Sequence, residues 1–302
     1  MYDLIVIGGG PAGLTAAIYA IRKRLNVLMV TRDLGGKTQW HLSLPWIEDY
    51  QVIRGLEVVN KFKRELEYLD FAHHMEKVEK VERDGDDFLV HTSGGGELKA
   101  KAVIVATGAK QQTLKVPGEK EYMMRGLCYS ALSYAPLFID RTTVVIGDGD
   151  LAMRSAAELS TIAEHVHLVC EGDGEILASP LGQMLVASEN VSVLKNQEIV
   201  AFKGDEYART TVLKGKSGSV NELGSDGIFI EKALIPYSQM VADLVELDEL
   251  GRIKVDCANH TNVAGIFAAG DVTSGYAEQV LIAVGEGAKA ALSAYEYLLP
   301  KL

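Results

Sequence analysis

The chain has 302 residues, of which 48% are hydrophobic, and its 30 glycines and 7 prolines suit two nucleotide-binding α/β domains better than one large domain. Its formal net charge of −11 at pH 7 excludes nucleic acid and anionic membranes as expected partners, because both repel a negative surface. It has no apolar run of the roughly 18 residues that span a bilayer and no cleavage site after residues 2–7. The odd, widely spaced set of Cys128, Cys170 and Cys257 favours a reducing cytoplasm.

The first predicted unit is a strand, a glycine turn and a helix. Residues 3–7 form an apolar run, residues 8–13 read G-G-G-P-A-G, and residues 14–21 have the composition of an apolar helix. Between a buried strand and a helix, such glycines permit a tight turn and let backbone N–H groups approach a pyrophosphate. We therefore predict a dinucleotide-binding turn here rather than a plain glycine turn.

The next predicted strand covers residues 25–30. The end of this strand usually carries an acid that binds the adenosine ribose, but this chain has Thr31 there and Asp33 just beyond. We therefore expect less direct ribose recognition. Residues 78–90 predict an antiparallel excursion with a turn at 84–86, and residues 102–106 predict a buried strand that Thr107 and Gly108 close.

A second copy of the strand–turn–helix pattern begins about one domain length later. Residues 143–146 form an apolar run, residues 147–152 read G-D-G-D-L-A, and a helix is predicted through about residue 162. Near the end of the chain, residues 265–271 predict a strand with a polar terminus. A long helix over residues 279–298 is expected to follow it.

These motifs, in this order, resemble the low-molecular-weight thioredoxin reductases of the pyridine nucleotide-disulfide oxidoreductase superfamily over nearly the whole chain. The resemblance implies an α/β fold with two Rossmann-like dinucleotide-binding domains, the second inserted into the first. A discontinuous FAD-binding domain would comprise residues 1–115 and 239–302, and a pyridine-nucleotide-type domain would comprise residues 116–238. The markers are the two glycine turns, Gly35-Gly36-Lys37, Ala106-Thr107-Gly108, and Gly270-Asp271 with Gln279-Val280.

The resemblance also implies a role for each part of the FAD site. The first glycine turn would cradle the pyrophosphate, the turn at Gly36 would lie along the flavin, and Asp271 would accept a hydrogen bond from a ribityl hydroxyl. The helix that begins near Gln279 would direct its N-terminus at the flavin pyrimidine. The predicted FAD-binding residues are Gly8, Gly10, Pro11, Ala12, Gly13, Gly36, Lys37, Ala106, Thr107, Gly108, Gly270, Asp271, Gln279 and Val280.

The chain departs from the resemblance where thioredoxin reductases carry a C-x-x-C dithiol followed by an acid. Ser130 and Ser133 stand at the cysteine positions, and Tyr134 stands at the acid. A hydroxyl has a far higher pKa than a thiol and forms no disulfide, so these serines cannot accept electrons from the flavin. We predict that Ser130, Ser133 and Tyr134 line the flavin face. There a hydroxyl could at most hydrogen-bond to the flavin N5 edge or to a substrate.

Two further features near this segment leave alternatives open. Cys128 is either a displaced single thiol or, as we favour, a small packing residue. A lone thiol could not form the internal disulfide in either case. Trp40 and Trp46 follow the Gly35-Gly36 turn, so one of them could cover the flavin face that lacks a dithiol, although core packing is the favoured interpretation.

The second nucleotide site is also altered. After the strand at residues 166–169, thioredoxin reductases have a basic cluster for the 2′-phosphate of NADPH, whereas residues 170–175 here read C-E-G-D-G-E. The three acids should disfavour NADPH, while Glu171 could accept a hydrogen bond from an NADH ribose. The family's I-G-x-x-P-N stretch is replaced by residues 231–237. Gly147, Gly149, Ala152 and Glu171 thus form either an NADH site or a vestigial one.

We expect an FAD-dependent oxidoreductase without the redox-active disulfide, whose partner is oxygen, a quinone, a small electrophile, or a ferredoxin or flavodoxin. Thioredoxin reductase-type ferredoxin-NADP reductases also lack the dithiol, but they use NADPH and carry a C-terminal extension. The alternatives are a non-catalytic or redox-sensing flavoprotein and a Cys-to-Ser variant of a thioredoxin reductase, which would not explain Tyr134. The resemblance implies a homodimer.

Overall fold

The chain forms two units, each built around its own parallel sheet. The structure is a computed structural model and describes residues 1–50 and 55–302. The first unit comprises Met1–Gln39, Ile53–Lys110 and Ile235–Leu302, and the second comprises Trp40–Val52 and Gln111–Leu234. The mixed α/β architecture expected from the sequence is confirmed.

The helices and strands are numbered here in chain order. The helices are α1 (Pro11–Arg22), α2 (Leu56–Glu67), α3 (Glu119–Tyr122), α4 (Ala131–Tyr134), α5 (Asp150–Ser160), α6 (Pro180–Ala187) and α7 (Val280–Leu298). The strands are β1 (Tyr2–Ile7), β2 (Val27–Thr31), β3 (Leu42–Leu44), β4 (Ile47–Tyr50), β5 (His73–Met75), β6 (Val78–Asp84), β7 (Asp87–Thr92), β8 (Glu97–Val105), β9 (Ala109–Gln111), β10 (Leu127–Cys128), β11 (Thr142–Ile146), β12 (His165–Val169), β13 (Val191–Leu194), β14 (Gln197–Gly204), β15 (Ala208–Gly215), β16 (Val220–Gly224), β17 (Gly227–Ile230), β18 (Leu234–Pro236) and β19 (Ile266–Ala268).

The sheet of the first unit has the order β5-β2-β1-β8-β7-β6, and β19 also pairs with β8. Its β5, β2, β1, β8 and β19 pairings are parallel, whereas β6, β7 and β8 form the antiparallel excursion that the sequence predicted. Leu4, Ile5 and Val6 of β1 are fully buried, as expected for a strand covered on both faces. The carboxyl ends of β1, β2, β8 and β19 share one edge of this sheet, which is where such folds bind ligands.

Helices α1 and α7 pack against each other through small residues. An ideal Cβ atom on the buried Gly287 of α7 would lie 2.1 Å from the carbonyl oxygen of Ala12 in α1. Ala16, Ala290 and Ala294 fill the same core. The small side chains let the two backbones approach closely. None of the helices in the described ranges has the length and apolar character that crossing a membrane requires.

The second unit contains a parallel sheet in the order β10-β17-β11-β12-β13. The predicted second strand–turn–helix is confirmed, because β11 leads through a glycine turn into α5. The unit also carries an antiparallel sheet of β14, β15 and β16 that sequence analysis did not predict. Strands β9 and β18, where the chain passes between the units, pair with each other.

The unit boundaries differ from those expected from the sequence. They fall at residues 110/111 and 234/235, rather than at 115/116 and 238/239. In addition, residues 40–52 cluster with the second unit and not with the FAD-binding part. The physical reason is the burial of Leu42 and Leu44 in the same core as Phe138, together with a hydrogen bond from the Ser43 N–H to the Met124 carbonyl oxygen at 2.9 Å.

The α1–α7 contact predicts opposite effects for two alanine substitutions in one helix. Gly287→Ala would place a Cβ against the Ala12 backbone, so we expect it to destabilise the protein by about 1–3 kcal/mol. Gly285→Ala is the matched control, because nothing lies within 4 Å of its Cβ position, and it should stabilise α7 by up to about 1 kcal/mol. Urea denaturation of both variants measures the difference. A Gly287→Ala protein as stable as the Gly285→Ala protein would contradict the packing described.

Candidate functional site

The first glycine turn is held by contacts between main-chain atoms. Gly8 has a φ of +109°, and an ideal Cβ there would lie 2.3 Å from the Ala106 carbonyl oxygen at the end of β8. A Cβ on Gly13 would lie 1.9 Å from the Gly8 carbonyl oxygen. No side chain fits at either position. The turn, the end of β8 and the first turn of α1 are therefore packed backbone against backbone.

Gly10 differs from its neighbours because no protein atom lies within 4 Å of its ideal Cβ position. It precedes α1 with an ordinary extended backbone, at φ −74° and ψ −175°. Neither packing nor conformation therefore requires a glycine here. The open space at the N-terminus of α1 fits the pyrophosphate of a dinucleotide, which the N–H groups of the turn could bind.

The turn that carries Gly36 and Lys37 lies against the glycine turn. The Gly35 N–H donates to the Gly9 carbonyl oxygen at 2.7 Å, and a Cβ on Gly36 would lie 3.3 Å from the Gly10 Cα. The Gly36 N–H in turn donates to Asp33 Oδ1 at 2.8 Å. The Asp33 carboxylate thus stabilises this turn, which agrees with the less direct ribose recognition expected from the sequence.

Thr107 and Gly108 are tied to a residue far away in the sequence. The Thr107 hydroxyl donates to the Tyr237 carbonyl oxygen at 2.6 Å, and the Tyr237 N–H donates to the Gly108 carbonyl oxygen at 2.9 Å. Gly108 has a φ of +68°, a left-handed conformation that favours glycine. The segment after β8 is therefore fixed beside the glycine turn.

Asp271 follows the end of β19 and forms an ion pair across the site. The Lys37 ammonium lies 2.8 Å from Asp271 Oδ2, and the two side chains are 35% and 20% exposed. Glu286 of α7 accepts a hydrogen bond from the Gly270 N–H at 2.7 Å. Burial, with a smaller contribution from Asp271, raises the pKa of Glu286 above its usual range. Sequence analysis missed Glu286; its signal was a lone acid near the start of an apolar helix.

The predicted FAD-binding residues therefore come together at one edge of the first unit's sheet. The glycine turn, the Gly36 turn, the end of β8 and the end of β19 all lie there. Gln279 is the residue before α7, which begins at Val280, and it makes no side-chain cap to that helix. The open face of Gly10 and the polar end at Asp271 fit a dinucleotide.

The second unit repeats the glycine turn with one difference in its surroundings. A Cβ on Gly147 would lie 2.2 Å from the Glu231 carbonyl oxygen and 2.8 Å from the Ala152 Cβ, whereas nothing lies within 4 Å of the Gly149 Cβ position. Gly149 therefore has the same open space before α5 that Gly10 has before α1. The difference is an ion-paired cluster beside this turn.

Lys232 joins the two acids of this cluster. Its ammonium group forms an ion pair with Glu171 and lies 3.6 Å from Asp148 Oδ2, while its side chain is only 17% exposed. Asp173 pairs with Lys216 at 3.0 Å. The sequence-based picture of uncompensated acids opposing NADPH is thus corrected, because the fold supplies lysines to two of the three acids.

Ser130 and Ser133 are partly exposed and bonded to each other. The Ser130 hydroxyl donates to the Ser133 oxygen at 3.2 Å. Tyr134 instead lies in the core of the second unit with Cys128, and burial, assisted by Cys128, raises the pKa of Tyr134 to about 12. Burial likewise raises the pKa of the Cys128 thiol far above its usual range. All three cysteines of the chain are free.

Glu231 is a buried acid next to the serine segment that sequence analysis did not assign. It is 1% exposed and accepts a hydrogen bond from the Ala131 N–H at 2.7 Å. Burial raises the pKa of Glu231 from 4.5 to about 7, although the Ala131 N–H and Ser155 act in the opposite direction. The available signal was an acid directly after the apolar strand β17.

The two tryptophans pack within the second unit. The Trp46 ring meets Phe138 edge-on at 5.9 Å, and its Nε1 donates to the Leu137 carbonyl oxygen at 3.2 Å. Trp40 lies 6.5 Å from Tyr129 in a tilted arrangement. Core packing was the interpretation that the sequence favoured. Across the described part of the chain, no group of three or more metal-binding side chains is found.

The family model for "Pyridine nucleotide-disulphide oxidoreductase" matches residues 2–287. One protein of the alkyl hydroperoxide reductase of Pseudomonas aeruginosa is 35% identical, with 99% of this chain and 58% of that protein covered. An NADH dehydrogenase of Bacillus subtilis is 32% identical, with 99% and 59% covered. The chain thus spans somewhat over half the length of these curated relatives.

Solved structures match over their full length. Thioredoxin reductase from Streptococcus pyogenes is 34% identical with a TM-score of 0.87, and 99% of this chain and 98% of that chain are covered. Thioredoxin reductase from Giardia duodenalis is 27% identical with a TM-score of 0.87, and 98% of each chain is covered.

The buried Glu231 predicts a specific pH dependence of stability. Because its pKa is raised from 4.5 to about 7, its contribution is fully present below pH 4.5 and is lost as pH rises through about 7. Glu231→Gln removes this titration. From pH 4.5 to pH 8, the free energy of unfolding of the variant should therefore rise by about 3 kcal/mol relative to the unmodified protein.

Urea denaturation followed by tryptophan fluorescence measures this effect, because Trp40 and Trp46 both belong to the second unit. Glu222→Gln, at an exposed position of β16, is the matched control and should leave the pH profile unchanged. A difference between Glu231→Gln and the unmodified protein that stays constant across this pH range would show that Glu231 does not titrate as described.

Proposed function

Because this chain belongs to the pyridine nucleotide-disulphide oxidoreductase family, we propose that it is an FAD-dependent oxidoreductase whose flavin exchanges electrons directly with an external partner. The observation that carries the proposal is the hydroxyl pair of Ser130 and Ser133, 3.2 Å apart, at the positions of the family's dithiol. Two hydroxyls accept no electrons from a flavin. A redox-active disulfide therefore has no place in the proposed reaction.

The remaining cysteines support the same proposal. Cys128 is fully buried, and its raised pKa keeps it a thiol. Burial and the Asp148 carboxylate raise the pKa of Cys170 to about 11. Since the thiolate is the reactive form of cysteine, neither residue is suited to accept electrons. Cys257 is exposed but belongs to the first unit, whereas the other two belong to the second.

The residues at the edge of the first sheet suit a bound FAD, which would supply the two-electron redox centre. Gly10 leaves room for the pyrophosphate, and the N-terminus of α1 offers N–H donors to its oxygens. Asp271 is held by Lys37 through one carboxylate oxygen, and it would accept a ribityl hydroxyl. The family binds FAD, which supports this assignment.

We propose NADH rather than NADPH as the electron donor. Glu171 follows the end of β12, the position at which an acid accepts hydrogen bonds from an adenosine ribose, and Lys232 holds it there. A 2′-phosphate would instead meet the carboxylates of Glu171 and Asp148 at short range. The relative named NADH dehydrogenase supports this choice.

The reaction proposed here balances without a disulfide. NADH releases a hydride, which carries two electrons and one proton, and the acceptor takes up the two electrons with that proton and one from solvent. Acceptors of the right chemistry are oxygen, a quinone or a small electrophile, or two equivalents of a one-electron carrier such as a ferredoxin or flavodoxin. The neutral, partly exposed hydroxyls of Ser130 and Ser133 could hydrogen-bond to such a substrate.

The proposal includes a homodimer and a cytoplasmic location. Symmetric dimers are the commonest assemblies of such enzymes, and the three free cysteines suit a reducing compartment.

Two alanine substitutions test the cofactor sites without disturbing the fold. Gly10→Ala adds a methyl group where no protein atom lies within 4 Å, so it should weaken FAD binding by about tenfold or more and leave the stability of the apoprotein unchanged. Gly149→Ala should weaken NADH binding in the same way and spare FAD. Fluorescence titration with FAD and flavin bleaching by NADH measure the two affinities.

Gly224→Ala is the matched control for both variants, because its Cβ position is also open and lies in β16. It should bind both cofactors as the unmodified protein does. Full FAD affinity in Gly10→Ala would count against the proposed pyrophosphate position, and full NADH affinity in Gly149→Ala would count against NADH binding in the second unit.

The number of electrons taken up per flavin tests the missing disulfide. Under anaerobic titration with dithionite we expect an end point of two electrons per FAD, and NADH should bleach the flavin more effectively than NADPH. A working disulfide would raise the end point to four. Ser130→Ala, Ser133→Ala should leave it at two, while Ser130→Cys, Ser133→Cys shows whether the segment still permits a disulfide. Turnover of NADH with oxygen or a dye no faster than free FAD allows would favour a non-catalytic flavoprotein.

A further inference from the structure

Lys37 lies between two parts of the proposed FAD site. The turn Gly36–Gln39 that carries it is anchored by the Gly36 N–H, which donates to Asp33 Oδ1 at 2.8 Å. The same turn packs on Gly10, with the Gly36 Cβ position 3.3 Å from the Gly10 Cα. From this anchored turn the side chain reaches Asp271 at 2.8 Å. The ammonium group is therefore held between the pyrophosphate end and the flavin end of the site.

The groups around this ammonium leave it effective as a positive charge. Asp271 takes one of its three hydrogen bonds and would turn its remaining oxygen to a ribityl hydroxyl. Glu286, the next acid in the same cleft, has its pKa raised by burial and by Asp271, which favours its neutral form. Lys37 is two-thirds shielded from solvent, so its charge is less screened than that of a surface lysine.

We infer that Lys37, oriented by Asp271, sets the electron affinity of the bound flavin by placing a positive charge beside its pyrimidine side. Negative charge accumulates on that side when a flavin is reduced, and a nearby cation favours the reduced form. In a disulfide reductase the dithiol takes the electrons onward. Here the flavin reacts directly with its acceptor, so charged groups of the first unit determine its reactivity.

This inference rests on the proposed function, because it requires FAD at the edge of the first sheet. It goes further by naming one side chain as the tuning residue. Lys37 acts on the flavin through its charge and takes no part in proton or hydride transfer. A structural role alone would predict that replacing it changes stability or FAD retention while the redox properties stay the same.

The test compares three variants with the unmodified protein, all at saturating FAD so that weaker retention does not hide the result. Lys37→Gln removes the charge, and Lys37→Arg keeps it. Lys101→Gln is the matched control, because Lys101 forms an ion pair of the same length with Asp3, 2.8 Å, at the opposite end of β1. The readouts are the flavin midpoint potential against a reference dye and the dissociation constant of sulfite, an anionic probe that bleaches the flavin.

We expect Lys37→Gln to weaken sulfite binding by about tenfold and to lower the midpoint potential by about 30 mV, which corresponds to tenfold for a two-electron couple. Lys37→Arg and Lys101→Gln should match the unmodified protein. An unchanged potential and sulfite affinity in Lys37→Gln with flavin bound would overturn the inference and leave the proposed function intact. Unmodified protein that binds no flavin would overturn the proposed function itself.

Discussion

The functional architecture of this protein depends on the close approach of main-chain atoms around α1. On one side, the Gly13 Cβ position lies 1.9 Å from the Gly8 carbonyl oxygen, and on the other the Gly287 Cβ position lies 2.1 Å from the Ala12 carbonyl oxygen. The first turn of α1 is thus held between the end of β1 and α7. Because α7 also supplies Glu286 to the Gly270 N–H, the same contact fixes where the chain turns after β19. The pyrophosphate end and the flavin end of the proposed site are therefore positioned together.

The parts of this architecture that local sequence determines were predictable. Glycine turns between a buried strand and a helix have a steric reason that is visible in the residues themselves, and α7 was expected over residues 279–298. The hairpin of β3 and β4 was assigned to the other unit, because the residues that bury Leu42 and Leu44 lie about 90 positions further along. The pairing of Glu171 with Lys232 and the burial of Glu231 were missed for the same reason. Such contacts depend on strand order, which periodicity does not reveal.

The segment that would hold a dithiol is built into the core of the second unit. Tyr134 and Cys128 share a buried cluster, and the Ala131 N–H is bonded to the buried Glu231. A reactive dithiol needs an accessible thiolate near a group that can move a proton, whereas burial in this segment raises the pKa of Cys128 and of Tyr134. Only Ser130 and Ser133 stay partly exposed, and they hydrogen-bond to each other. The substitutions therefore agree with one another: each removes a part of the disulfide chemistry and adds to packing.

The two dinucleotide positions use the same electrostatic arrangement. In each unit an acid that follows the end of a parallel strand is paired with a lysine from a distant element: Asp271 with Lys37, and Glu171 with Lys232. Such a pair keeps the carboxylate ionised and oriented as a hydrogen-bond acceptor for a sugar hydroxyl, while it cancels the charge that would repel a pyrophosphate. In a chain with a net charge of −11, this local neutralisation is what allows an anionic dinucleotide to approach. The lysines thus reconcile an acidic protein with two sites for negatively charged cofactors.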